Sequence, residues 1–528
     1  MTDAVTPLDH AESRLAPLER AALTASWQLA CAATAENQSA SEQASLALHT
    51  VLADPALDAD AATAAGTAET PVDRRRAEQL RLWTAANRRP RELIERIVAL
   101  ETEVASLHSR HRADLDGAPA SANDIDEILR SSTDVGVRRA AWEASKSIGA
   151  AVDGRLRELA HLRNDAARRS GYRDHYALAL ALDELDEGWL YATLDRLDSE
   201  LHVSHQAEKA AIDRDVRNRL GLARDEPLAP WHYSDPFFQE APSPAYDPLA
   251  DDAAPGIDIV GAARAYFNDL GDDVGAILER SDLYPRDGKD EHAFQTTLDR
   301  GDDIRVLCNV APSLRSLETM LHELGHAVYD ASIEPTLPWL LRRIAHVLTT
   351  EAVAMLHGRR ARDPVFLTRY AGIAPEVAEA PLNGAITRRG LHVFVAWVQV
   401  MARFERAFYA DPDRDLATHW WDLVERYQQV ARPAGPRPHD WAAKVHLANA
   451  PVYYHNYLLG EVAASQLEAM LTAETGAASP AAAPRAAGAL LRERFTRHGA
   501  RLRWDDLVEQ ATGEPLTTRH LADLLTSS

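Results

Sequence analysis

His322-Glu323-Leu324-Gly325-His326 is the stretch of this sequence whose residue types and spacing can do chemistry. Residues four apart share one face of an α-helix, so His322 and His326 can grip a single cation while Glu323 projects beside it. A catalytic zinc site takes three protein ligands and keeps a further position open, so a third ligand is required. The HExxHxxGxxH continuation is absent, because Tyr329 and Ser332 stand where it needs Gly and His. The other continuation common in HExxH proteins is a glutamate on the following helix, and Glu351 stands there, on a helix read at 339–358. It sits inside the apolar run Val347-Leu348-Thr349-Thr350-Glu351-Ala352-Val353-Ala354-Met355, where an unpaired carboxylate is costly. A metal partner removes that cost. A salt bridge to Arg342 or Arg343, or a helix turn facing water, would remove it equally.

The elements that must hold these groups are almost all helical. Leu317, Leu321, Leu324 and Val328 recur at helical spacing after Pro312 and Ser313, which predicts a helix over 313–332. Amphipathic stretches predict further helices at 13–35, 72–111, 134–170, 187–218, 385–408 and 452–471. Ala53 to Thr70 reads as an Asp/Ala/Thr-rich connector, Ala229 to Pro255 as a proline-rich one, and Ala477 to Ala487 as a surface loop. One β signal lies upstream of the motif. Ile304, Val306, Cys308 and Val310 alternate with Arg305, Leu307 and Asn309, and Arg300-Gly301-Asp302 turns back through Leu298 towards His292, giving a short hairpin. The expected architecture is mainly α, with two helical halves enclosing a deep substrate cleft and a small hairpin beside the motif helix. Residues 1–225 would form one cleft wall and residues 226–528 the catalytic half.

HELGH followed by a glutamate on the next helix resembles the gluzincin peptidases, in particular the angiotensin-converting-type peptidyl-dipeptidases and the thimet-type oligopeptidases. Lys444-Val445-His446 ahead of Pro451-Val452-Tyr453-Tyr454-His455-Asn456-Tyr457, and the pair His292-Ala293, are similar to further motifs of these families. So is Leu159 to Arg169, followed by Gly171-Tyr172. The resemblance implies a zinc-dependent peptidase with His322, His326 and Glu351 as ligands and Glu323 as general base. It also implies Tyr457, assisted by His446 or Tyr454, as donor to the oxyanion, and His292 and Ala293 as substrate-facing strand residues. Lys444 resembles the cation that holds a terminal carboxylate in dipeptide-releasing enzymes; without the family it reads as a surface lysine, and the three tyrosines read as helix-face aromatics. One departure stands out. Where the angiotensin-converting type has an aspartate that orients a ligating histidine, this chain has Met355, and Asp330, one turn beyond His326, is the candidate substitute. That departure shifts the expectation towards an oligopeptidase of broader habit.

Composition sets the outer limits. The 80 acidic residues against 57 basic ones give a formal net charge of −23, which argues against nucleic-acid or anionic-membrane partners. Cys31 and Cys308 are the only cysteines, and the start of the chain lacks a basic and apolar leader, so a cytoplasmic location is expected. Leu391 to Ala402, the most apolar stretch, is interrupted by His392 and Gln399 and reads as a buried helix. The leading expectation is one Zn2+ per chain and hydrolysis of short peptides. The alternatives are a zinc amidohydrolase on non-peptide amides and a catalytically silent peptide-binding protein. For the last of these Glu323 has no use.

Overall fold

Capped, alanine- and leucine-rich segments dominate the chain, and it folds as a mainly α protein. The computed structural model describes residues 6–88, 91–115, 117–242, 247, 249 and 256–527. The residues before Thr6, and Pro244, Pro248 and Pro255 of the expected proline-rich connector, lie outside that set. The helices expected at 134–170, 187–218, 313–332 and 385–408 are present as Val135–Arg169, Glu187–Leu220, Leu314–Ser332 and Pro381–Ala410. The stretch 72–111 is two helices, Pro71–Asn87 and Arg91–Arg110. The first helix, Pro7–Cys31, starts earlier than expected, because Thr6 and Asp9 cap each other's backbone N–H groups.

Two expected loops need correction. Within Ala53 to Thr70, residues Pro55–Thr67 are helical; Asp54 accepts from the Ala56 N–H, Pro55 opens the first turn, and Leu57, Ala61 and Ala64 are buried. Alanine serves helix and connector alike, so composition misled and the Asp-Pro cap was the better signal. The Ala/Pro stretch 477–487 likewise runs into a helix, Pro484–Arg494.

Among the described residues the sheets are two antiparallel hairpins, Ala113–Leu115 with Ala118–Ala120 and Phe294–Thr297 with Ile304–Leu307. In the second, Phe294 pairs with Leu307 and Thr297 with Ile304. Its turn residue Arg300 has a positive φ of 52°. Glu19 pairs with the Arg300 guanidinium at 2.6 Å, and the Trp339 ring lies 3.9 Å beneath it, which fixes that turn.

Contacts divide the chain into two units that interleave along the sequence. One gathers Met1–Arg88, Pro248–Gly384 and Leu459–Leu521; the other gathers Arg89–Asp247, Ala385–Leu458 and Ala522–Ser528. A single cut near residue 225 therefore does not separate them. Residues 6–88 belong with the HELGH segment because Leu8, Leu15, Leu52, Leu80, Trp339 and Leu340 share one apolar core. No described helix is long and apolar enough to cross a membrane.

Candidate metal centre

The HELGH helix, Leu314–Ser332, starts where the Ser313 side chain accepts the Ser316 N–H, and it buries Leu317, Met320, Leu321, Leu324 and Val328. The Glu351 helix, Val347–Gly358, starts where His346 Nδ1 accepts the Leu348 N–H. The two helices cross at Gly325. A Cβ there would stand 2.7 Å from the Ala354 Cα, so only glycine permits the approach. Gly460 does the same from the helix Tyr454–Thr475, where a Cβ would stand 2.6 Å from the Glu351 Cβ.

These close approaches bring three donors together. His322 Nε2 lies 3.2 Å from His326 Nε2 and 3.7 Å from Glu351 Oε2. All three ligand atoms fall within 4.8 Å of one another. Zinc–ligand bonds of about 2.0 Å in a tetrahedron place neighbouring ligand atoms about 3.3 Å apart, so this spacing fits the ion. The protonation states fit as well. Burial lowers the His322 pKa to about 4 and holds His326 well below its ordinary value, so both imidazoles are neutral near pH 7, the form that binds a metal. Glu323 is pushed up to about 8 by burial and then by the negative charge of Glu351, while the backbone N–H of Gln295 on the hairpin favours its ionised form. Two buried carboxylates beside two half-buried, neutral imidazoles make a cluster that a divalent cation stabilises.

The groups that orient the donors differ from expectation. Asp330 bonds the side chains of Gln295 and Thr297 and so secures the hairpin. His326 is oriented by Thr350, whose Oγ1 lies 2.7 Å from Nδ1. The sequence reading missed Thr350; its place one residue before Glu351 was the available signal. Arg343, one of the alternative partners for Glu351, lies in the field of Glu19 and Asp330.

His292 and Ala293 precede the strand, which begins at Phe294. Asp290 Oδ1 accepts the His292 N–H at 2.9 Å, and Asn309 Nδ2 donates to the carbonyls of Asp290 and Glu291, so turn bonds replace ladder bonds there. The His292 side chain is 94% exposed. Cys308 is buried just after the other strand, its thiol pushed up to about 12 by that burial, in keeping with a packing role.

The remaining candidates gather in the second unit. The His446 ring lies 5.0 Å from that of Tyr454, and the Tyr457 ring lies 4.9 Å from Tyr453 and 5.8 Å from Tyr454. Lys444 is no surface residue. It is 6% exposed, burial lowers its pKa to about 8, and its Nζ donates to Gln239 Oε1 at 2.7 Å with the Phe237 and Trp397 rings each 5.2 Å away. Gln239 escaped the sequence reading. The Asp235 carboxylate holds its loop by accepting N–H groups from Phe237, Gln239 and Glu240, and the Asp-Pro pair at 235–236 is the turn signal that could have found it. Lys146 was missed as well; it is a second buried amine, 3.4 Å over the Phe237 ring, with its pKa lowered to about 7 by burial.

The family model described as angiotensin-converting enzyme matches residues 1–203 and 279–522 of this chain. The matched parts contain the HELGH helix, Glu351, Lys444, His446 and the tyrosines; Asp235 and Gln239 fall in the stretch between them. No curated protein matches the chain.

Proposed function

This chain belongs to the angiotensin-converting enzyme family of peptidases, and we propose that it hydrolyses short peptides at a zinc centre held by His322, His326 and Glu351. Family membership supports a zinc metallopeptidase acting on peptides. The observation that carries the residue assignment is the convergence of two neutral imidazoles and one buried carboxylate, with Glu323 on the same helix. Zinc in that position supplies Lewis acidity and brings the pKa of water near 7. Glu323 takes a proton from the attacking water and returns it to the leaving amine nitrogen. Thr350 keeps the His326 ring turned so that Nε2 faces the other donors. A cytoplasmic location belongs to the same proposal, supported by two cysteines that are both free.

The test is metal analysis of the purified chain together with mass spectrometry of a random peptide pool. About one zinc per chain and chelator-sensitive cleavage are expected. Zinc without cleavage of any peptide would leave the amidohydrolase or silent-binder alternative in its place.

Tyr457 is assigned as donor to the tetrahedral oxyanion, with His446 and Tyr454 packed behind it. It lies one helical turn before Gly460, the residue pressed on Glu351. Because a donor aimed at developing charge acts mainly in the transition state, Tyr457→Phe should lower kcat by roughly 10²-fold with little change in KM. An unaltered kcat would reduce Tyr457 to packing.

Lys444 and Gln239 are assigned to the C-terminal carboxylate of the substrate; the burial of Lys444 reverses the expectation drawn from Met355 and favours release of short C-terminal pieces over the broader oligopeptidase habit. A charge-assisted bond of about 1.5–3 kcal/mol is at stake, so amidating the peptide C-terminus should lower kcat/KM roughly tenfold or more. Lys444→Met should do the same, and the two losses should not add. Equal cleavage of free and amidated peptides by the unaltered enzyme would remove this assignment.

A further inference from the structure

The backbone of the segment from His446 to Tyr457 is held by two buried residues, Arg163 and Glu405. On one side Arg163, 2% exposed on the helix Val135–Arg169, donates to the carbonyls of Leu447 at 3.0 Å and Ala448 at 2.6 Å. On the other, Glu405, 2% exposed on the helix Pro381–Ala410, accepts the Val452 N–H on Oε1 at 2.8 Å. Val452 has φ 56°, a left-handed conformation that a β-branched residue adopts only under constraint. It is also buried, so its N–H requires an acceptor inside the protein. Two residues later the tyrosine helix begins at Tyr454. The turn at Val452 therefore sets both the starting point of that helix and the return of Tyr454 against His446.

We propose that Glu405 is a positioning residue for Tyr454 and Tyr457, holding the left-handed turn at Val452 while Arg163 holds the carbonyls that precede it. The function of these tyrosines rests on the oxyanion reading given above. The contact with Val452 uses an acceptor oxygen and does not need charge; burial pushes the Glu405 carboxyl up to about 8, and a glutamine oxygen can take its place. Leucine has similar bulk and no acceptor.

In the full, zinc-loaded chain, Glu405→Leu should lower kcat roughly tenfold or more with KM nearly unchanged, since small displacements of a catalytic donor are costly. Zinc content should stay that of the unaltered protein. Glu405→Gln should keep most of kcat, and adding Val452→Gly to Glu405→Leu should recover most of the loss, because glycine adopts positive φ without strain. A fluorine-labelled tyrosine at position 457 gives a readout independent of catalysis: its NMR resonance should move in Glu405→Leu and return in Glu405→Gln. Should Glu405→Leu not fold, Glu405→Asp withdraws the acceptor by one methylene and should show the same changes in smaller measure. An unmoved resonance in the variant that folds overturns the proposal, as does loss of zinc alongside kcat. A moved resonance with unaltered kcat keeps the positioning role and overturns the oxyanion reading of Tyr457.

Discussion

Glu323→Gln is expected to lower kcat by between about 10² and 10⁴ while zinc content stays that of the unaltered chain, because general base catalysis is worth that much and no ligand is touched. The substitution is close to isosteric. A glutamine oxygen can still accept the Gln295 N–H that now bonds Glu323, so the side chain keeps its place on the HELGH helix and loses only its ability to take a proton. Steady-state kinetics and metal analysis on the same preparation separate the two properties. A fall in kcat of less than about tenfold would transfer the base to another residue.

Glu351→Ala is expected to remove metal and activity together. The carboxylate is 5% exposed, and Gly460 leaves no gap above it. Loss of a group that only orients a ligand weakens metal binding about 10- to 100-fold, and loss of the ligand itself should exceed that. Thr350→Val supplies the comparison, since it removes the oxygen beside His326 Nδ1 and keeps all three donors. Competition with a zinc chelator should rank Glu351→Ala well below Thr350→Val, with activity restored in the latter by added zinc. Full zinc affinity in Glu351→Ala would mean that the third ligand lies elsewhere.

The parts of this centre that were legible in the sequence are those fixed by one helix or by two helices in succession. His322, Glu323 and His326 are set by the period of a single helix. The cost of burying a carboxylate in an apolar run told that Glu351 needs a partner, and the resemblance to the gluzincins made that partner a metal; its helix begins at Val347 and not at 339, because residues 333–346 make the connection. What was not legible depends on how side chains turn and on which distant segments meet. Asp330 was read as the group that orients His326 because it lies one turn away, but packing gives Asp330 to the hairpin and brings Thr350, which the sequence reading passed over, to the imidazole. The strand was read as reaching His292 because nothing in the alternation pattern shows that Asp290 and Asn309 divert the backbone into a turn. Lys444 was given a surface as its default because lysine usually has one. Its burial depends on Gln239, Phe237 and Trp397, which come from two separate stretches of the chain.

All three proposed metal donors lie between Leu314 and Gly358, inside one unit, while Lys444 and Gln239, which are assigned to reading the peptide, belong to the other. Inheritance can therefore act on the two separately. The helix pair tolerates little change, since Gly325 admits no side chain and Thr350 holds the His326 ring. The loop that presents Gln239 needs only an Asx turn at Asp235, and it lies where the family match is interrupted. On that assignment, mutation in the loop changes peptide preference at no cost in metal affinity, and a lineage can change its diet without rebuilding its catalyst.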